Sequence, residues 1–109
     1  MTTISIEKTI LDGNMGDGWK DSHGAACAYA EFLEERILQE MADLAEEGHK
    51  IEVDISVARN TCGYESGSTV IVDNDDYDTL QQAENAVQYA LDTAWEKFLE
   101  SEMAASLIS

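Results

Sequence analysis

Alternating apolar and polar residues in three segments of the chain predict three half-buried β-strands. The first segment covers residues 3–10, the second residues 51–57 and the third residues 67–73. A loop rich in glycine and aspartate follows the first strand over residues 12–18, and a long loop over residues 60–67 separates the other two strands. We expect the second and third strands to pair antiparallel through this long loop.

Two longer segments carry apolar residues at helical spacing. The first runs from residue 21 to residue 47, with Asp21 or Ser22 as its N-cap and Gly48 placed to end the helix in a left-handed conformation. The second runs from a capping box that begins at Asp78 or Thr79 to about residue 103. The apolar stripes of the two helices consist of Ala26, Ala30, Leu33, Ile37, Met41 and Leu44, and of Leu80, Ala83, Val87, Leu91, Ala94 and Phe98.

These elements predict an α+β fold with the order β, α, β, β, α. Two helices packed on one face of a three-stranded antiparallel sheet would hide all the apolar faces in two layers. A chain of 109 residues is long enough for one modest core, so we expect a single domain spanning residues 1–109.

The net charge of the chain limits the classes of molecule that it is expected to bind. Asp and Glu number 23 and Lys and Arg number 6, which gives a formal net charge of -17. A field of this sign repels phosphate backbones and anionic membranes and attracts basic surfaces. We therefore expect no direct binding to nucleic acid or membrane, and a basic protein as the partner.

Two acidic segments are candidates for the contact with that partner. Carboxylates four residues apart on a helix repel one another, so a purely structural helix would intersperse lysines among them. The alternative interpretation is a solvated helix face in a protein selected for solubility. The candidate residues are Glu31, Glu34, Glu35, Asp43, Glu46 and Glu47 on the first helix, and Asp73, Asp75, Asp76 and Asp78 before and at the start of the second.

Neither metal pattern in the sequence is complete. Asp73, Asp75 and Glu84 occupy the first, third and twelfth places of a calcium loop, but an aspartate replaces the glycine required at the sixth place. His23 and Cys27 are four residues apart on the first helix, and a zinc site would need His49 and Cys62 to complete it. We therefore expect no metal and no other cofactor.

The sequence shows no pattern typical of a catalytic site. It lacks the nucleophile elbow, the zinc-protease helix, the phosphate-binding loop and the dinucleotide-binding glycines. Residues 1–11 show neither a basic region followed by an apolar run nor a small-residue cleavage site, and no run of 18 apolar residues occurs in the sequence. The two cysteines are far apart in the sequence, as is typical of free thiols in a reducing compartment. We expect a cytoplasmic binding protein that is not an enzyme.

The size, the charge and the acidic segments 31–47 and 73–78 resemble those of anti-CRISPR and anti-restriction proteins that act as DNA mimics. These small acidic proteins of phages and plasmids share a composition and no common motif. The resemblance implies that the protein occupies the basic DNA-binding channel of a CRISPR effector or restriction enzyme and excludes the nucleic acid by competition.

Two other hypotheses remain open. The protein could be an accessory or interaction module that binds through a sheet face or an aromatic patch, with its charge serving solubility. The charge could also reflect adaptation to high internal salt. The outer sheet face, left uncovered in a two-layer domain, is a candidate surface for a homodimer. The aromatic patch would consist of Trp19, Tyr64, Tyr77 and Trp95.

Overall fold

Strands and helices account for most of the chain in a computed structural model that describes residues 2–16, 18–59, 62–63, 68–73 and 77–107, apart from the side chain of Met103. The strands are β1 (Thr3–Leu11), β2 (Lys50–Ala58) and β3 (Thr69–Val72). The α-helices are α1 (Ser22–Glu40), α2 (Ala42–Glu46), α3 (Tyr77–Leu99) and α4 (Glu102–Ala105), and a short 3-10 helix covers Asp12–Met15. The predicted α+β class is confirmed.

The sheet is mixed, and its strand order is β2-β1-β3. β1 pairs parallel with β2 and antiparallel with β3, so the predicted antiparallel sheet and the predicted pairing of the second strand with the third are wrong. β1 carries three isoleucines that are at most 2% exposed. Because β1 is the central strand, β2 and β3 flank these side chains on both sides. The two helices between β1 and β2 allow β2 to return in the same direction as β1.

One edge of β2 faces away from β1, and the register shows which backbone groups lie along it. The Lys50 N–H donates to the Thr2 carbonyl at 2.8 Å, on the side of β1. Because backbone groups point to alternate sides along a parallel strand, those of Val53 and Ile55 point away from β1. Within the described ranges no strand pairs with that edge. The predicted loop over residues 60–67 lies mostly outside the described residues.

Each predicted long helix is divided in two. The first ends at Met41, whose φ of -99° and ψ of 11° interrupt it before α2, and the second ends before Ser101, which caps α4. Asp21 is the N-cap of α1 and accepts a hydrogen bond from the His23 N–H, and Gly48 follows α2 with a φ of +98°, both as predicted. Neither predicted capping box starts α3, because that helix already begins at Tyr77.

The core lies between the sheet and the helices. α1 packs against β2 and α3, while α3 packs against β3. Phe98 is fully buried at the centre of an aromatic cluster, with ring centroids 5.2–6.0 Å away. None of the helices in the described part of the chain combines the length and the apolar character needed to cross a bilayer. The four rings around Phe98 are those of Trp19, Tyr29, Phe32 and Trp95.

Candidate partner-binding surface

The predicted acidic residues of the first helix lie on the solvent side of α1 and α2. The apolar stripe faces the sheet and α3, so helical spacing directs the carboxylates outward. Among the described residues, Glu47 is 3.6 Å from His49 Nε2, while the other five make no ion pair with a basic side chain. These exposed acids without a basic partner are Glu31, Glu34, Glu35, Asp43 and Glu46.

The fold brings the second acidic segment to the same end of the domain as α2. Thr3 pairs with Lys50, which follows α2 closely, and the Thr3 carbonyl accepts a hydrogen bond from the Asp73 N–H at 3.2 Å. Asp73 is exposed at the end of β3, and Asp78 is exposed in the first turn of α3. Asp75 and Asp76, which were predicted to contribute, lie outside the described residues.

These residues define a surface that we call the acidic band. α1 runs back along the sheet because it connects two parallel strands, so it leads from the end of β1 toward the start of β2. Carboxylates follow α1 and α2 on their solvent side, and Asp73 lies at the same end of the sheet as the residue that follows α2. The band comprises Glu31, Glu34, Glu35, Asp43, Glu46, Glu47, Asp73 and Asp78.

Carboxylates also occupy the outer face of the sheet, which was considered from the sequence as a surface for a homodimer or an interaction module but not as an acidic surface. Glu7 and Asp54 are exposed and directly opposite each other in the parallel register of β1 and β2. Glu52 is exposed on the same face and lies 3.1 Å from Lys50 Nζ. The alternation of residues in each strand indicated which side chains face outward, but only the pairing of β1 with β2 brings Glu7 to Asp54.

A groove runs between α1 and β2 beside the acidic band. The side chains of Ile55 and Val57 form its β2 wall, and Glu31 and Glu34 contribute its carboxylates. Its volume is about 310 Å³. The groove can therefore receive a side chain that combines an apolar stem with a positive charge, such as lysine or arginine.

Three titratable side chains are in contact at one end of this groove. The Asp12 carboxylate is buried, with 6% of its side chain exposed, and its Oδ2 lies 3.0 Å from His23 Nδ1. His23 Nε2 lies 3.6 Å from the Cys27 Sγ. Helical spacing predicts that His23 and Cys27 lie on one face of the helix, whereas Asp12 has only the character of a turn residue in the sequence. Asp12 directly follows the leucine that ends β1, and this local sequence does not predict the contact of Asp12 with His23.

The four residues considered for zinc do not come together. His23 and Cys27 lie near the end of β1, whereas His49 immediately precedes β2 at the opposite end of the parallel pair. Across the described ranges, no three side chains of His, Cys, Asp or Glu are arranged to hold a metal ion.

The residues of the predicted aromatic patch are separated by the fold. Trp19 and Trp95 are partly buried against Phe98, and Trp19 Nε1 donates to the Met15 carbonyl at 2.9 Å. Tyr77 is 72% exposed at the start of α3, and Tyr64 lies outside the described residues. The two tryptophans therefore belong to the core cluster more than to a binding surface.

Comparison with known protein families, characterised proteins and solved structures finds no match to this chain. The function is therefore inferred from the arrangement of its own residues.

Proposed function

We propose that this protein binds the basic DNA-binding surface of a nucleic-acid-handling defence complex, a CRISPR effector or a restriction enzyme, and inhibits it by excluding DNA. The observation that carries the proposal is the acidic band, which places eight carboxylates along α1, α2 and the adjacent end of the sheet. Seven of these carboxylates, all except Glu47, make no ion pair with a basic side chain among the described residues.

The energetics of such a band favour an external partner. Carboxylates held near one another on a folded surface repel, and this repulsion is relieved when cationic groups approach. A DNA-binding channel presents lysine and arginine side chains that normally neutralise phosphates. The band offers the same cations an alternative set of anions, so binding of the protein and binding of DNA would be mutually exclusive.

The packing of the two tryptophans and the carboxylates on the outer sheet face also bear on the competing hypotheses. The two tryptophans of the predicted aromatic patch pack against Phe98, which weakens the case for an interaction module that binds through that patch. A homodimer through the outer sheet face would bring Glu7, Glu52 and Asp54 of each copy against those of the other. Like-charge repulsion opposes that association.

A competition experiment tests the proposal. DNA binding by a panel of purified CRISPR effectors and restriction enzymes would be measured by fluorescence anisotropy as this protein is added at low and moderate salt. We expect at least one complex to lose DNA binding, with the loss becoming weaker as salt rises. If every complex keeps its affinity for DNA at both salt concentrations, the inhibitory role is rejected.

A further inference from the structure

The contact of Asp12, His23 and Cys27 has a defined direction of hydrogen bonding. With Asp12 ionised, its carboxylate only accepts hydrogen bonds, so His23 Nδ1 donates its proton to Asp12 Oδ2 across the 3.0 Å contact. In the neutral imidazole the other ring nitrogen is then the acceptor. His23 Nε2 is therefore free to accept the proton of the Cys27 thiol, 3.6 Å away.

The local fold holds the imidazole in this orientation. Asp12 is only 4% exposed and follows β1 directly, so its carboxylate is fixed relative to the sheet. His23 lies in the first turn of α1, and its backbone N–H donates to the Asp21 side chain at 3.1 Å. Cys27 is one helical turn further along α1 and is exposed to solvent. A buried acid, an oriented imidazole and an accessible thiol thus follow one another in a chain of contacts.

The side chains around Cys27 determine which charge a reagent must carry to approach the thiol. The groove that contains Cys27 and His23 also contains Glu31 and Glu34 from α1, while β2 contributes the uncharged Ile55 and Val57. The described residues that line the groove include no lysine or arginine. A reagent that reaches the thiol along this groove meets carboxylates, so a cationic reagent is attracted and an anionic one is repelled.

From this geometry we propose that Cys27 is a nucleophilic thiol that undergoes thiol–disulfide exchange with disulfides of cationic thiols. His23 is the general base and Asp12 is a positioning residue. In disulfide exchange the negative charge develops on sulfur. The site therefore needs no hydrogen-bond donors to stabilise a carbonyl oxyanion. The proposal does not depend on the inhibitory function.

The reaction balances without any further reagent. The Cys27 Sγ attacks one sulfur of the disulfide while its thiol proton passes to His23 Nε2. A mixed disulfide forms, the original S–S bond breaks, and the departing thiolate takes the proton back from the imidazole. Asp12 stabilises the positive charge that the imidazole carries between these two transfers.

The second cysteine of the chain provides an internal control. Cys62 is also exposed, which makes it the matched thiol within the same protein and the same overall field. The single-cysteine variants Cys62→Ser and Cys27→Ser would be treated with cystamine, a dicationic disulfide, and adduct formation would be followed by intact mass spectrometry. A well-positioned general base contributes about 100-fold or more, so we expect Cys27 to react at least about tenfold faster than Cys62.

Variants of the other two residues test their roles in the Cys62→Ser background. His23→Ala should slow the reaction of Cys27 to the rate of Cys62, and added imidazole should restore part of it, which a purely structural role would not allow. Asp12→Asn, which keeps the side-chain shape, should give an intermediate rate, with circular dichroism confirming the fold. Glu31→Gln with Glu34→Gln should reduce the preference for cystamine over oxidised glutathione.

The outcomes separate clearly. Equal rates for Cys27 and Cys62 would overturn the proposal, as would a folded His23→Ala variant that reacts at the unchanged rate or is not rescued by imidazole. Faster reaction of Cys27 that depends on His23 and responds to imidazole would support it. No nuclease is present in these reactions, so their result is independent of the competition experiment.

Discussion

Glu7 and Asp54 face each other across the parallel pair of β1 and β2, two exposed carboxylates on the outer side of the sheet. Like charges directly opposite each other in a sheet are destabilising. Two strands that are otherwise well matched in their apolar faces therefore carry an electrostatic cost at the centre of their ladder. The stability of the domain should respond when that cost is removed.

Asp54→Asn should raise the free energy of unfolding by about 0.2–1 kcal/mol, because it removes the repulsion from Glu7 without changing side-chain shape. Urea denaturation followed by circular dichroism measures the change. Glu52→Gln is the matched control, since it removes one carboxylate from the same face but also removes the 3.1 Å contact with Lys50 Nζ. An equal gain from both variants would mean that only the total charge matters.

The register of β2 predicts that neighbouring proline substitutions differ in cost. The Val53 N–H points away from β1, so Val53→Pro leaves the ladder with β1 intact. The Asp54 N–H points to β1, so Asp54→Pro removes a ladder hydrogen bond and leaves a carbonyl of β1 without its donor. That loss should make Asp54→Pro less stable than Val53→Pro by about 1–3 kcal/mol.

This order is the reverse of what burial alone predicts, because Val53 is partly buried and Asp54 is exposed. Thermal and urea unfolding of the two variants would show the difference. If Val53→Pro is the more damaging substitution, the backbone N–H of Val53 does not point away from the ladder with β1.

Phe98 should be the most costly aromatic residue to truncate. It is fully buried and contacts four other rings, so Phe98→Ala should lower the free energy of unfolding by about 3–5 kcal/mol. Leu99→Ala at the next position, where the leucine is 42% exposed, should cost less than about 1 kcal/mol. Similar losses for the two variants would contradict the position of Phe98 at the centre of the cluster.

The sequence predicts the faces of the elements better than their arrangement. Alternation in residues 3–10 and 51–57 indicates which side chains face the core, and the structure agrees. Alternation does not indicate which strands are neighbours, and the preference of the isoleucine-rich β1 for the centre of the sheet depends on long-range packing. The break at Met41 also has no local signal, because this methionine continues the apolar stripe and is fully buried.

In the candidate site, too, the sequence predicts which side chains are exposed better than it predicts which residues lie near one another. The exposed positions of Glu31 and Glu46 follow from helical spacing. The approach of Asp73 to the end of the sheet next to Lys50 follows from the strand order, which the sequence does not reveal. The contact of Asp12 with His23 joins the end of β1 to the start of α1, and no residue pattern predicts how that turn is folded.

The proposed function depends on the charge of the acidic band and not on the net charge of the whole protein. Two triple variants with the same net charge separate the two. Glu31→Gln, Glu34→Gln and Glu35→Gln neutralise α1, and the control variant neutralises three exposed glutamates of α3 and the turn that follows it. The control residues are Glu84, Glu96 and Glu100.

The most direct measurement is the inhibition constant of each triple variant against a nuclease complex that the native protein displaces from DNA. The proposed function predicts that neutralising Glu31, Glu34 and Glu35 weakens inhibition by about tenfold or more and flattens its dependence on salt, while the control stays within about threefold of the native protein. Equal weakening by the two variants would show that net charge alone acts, and would contradict a defined acidic band.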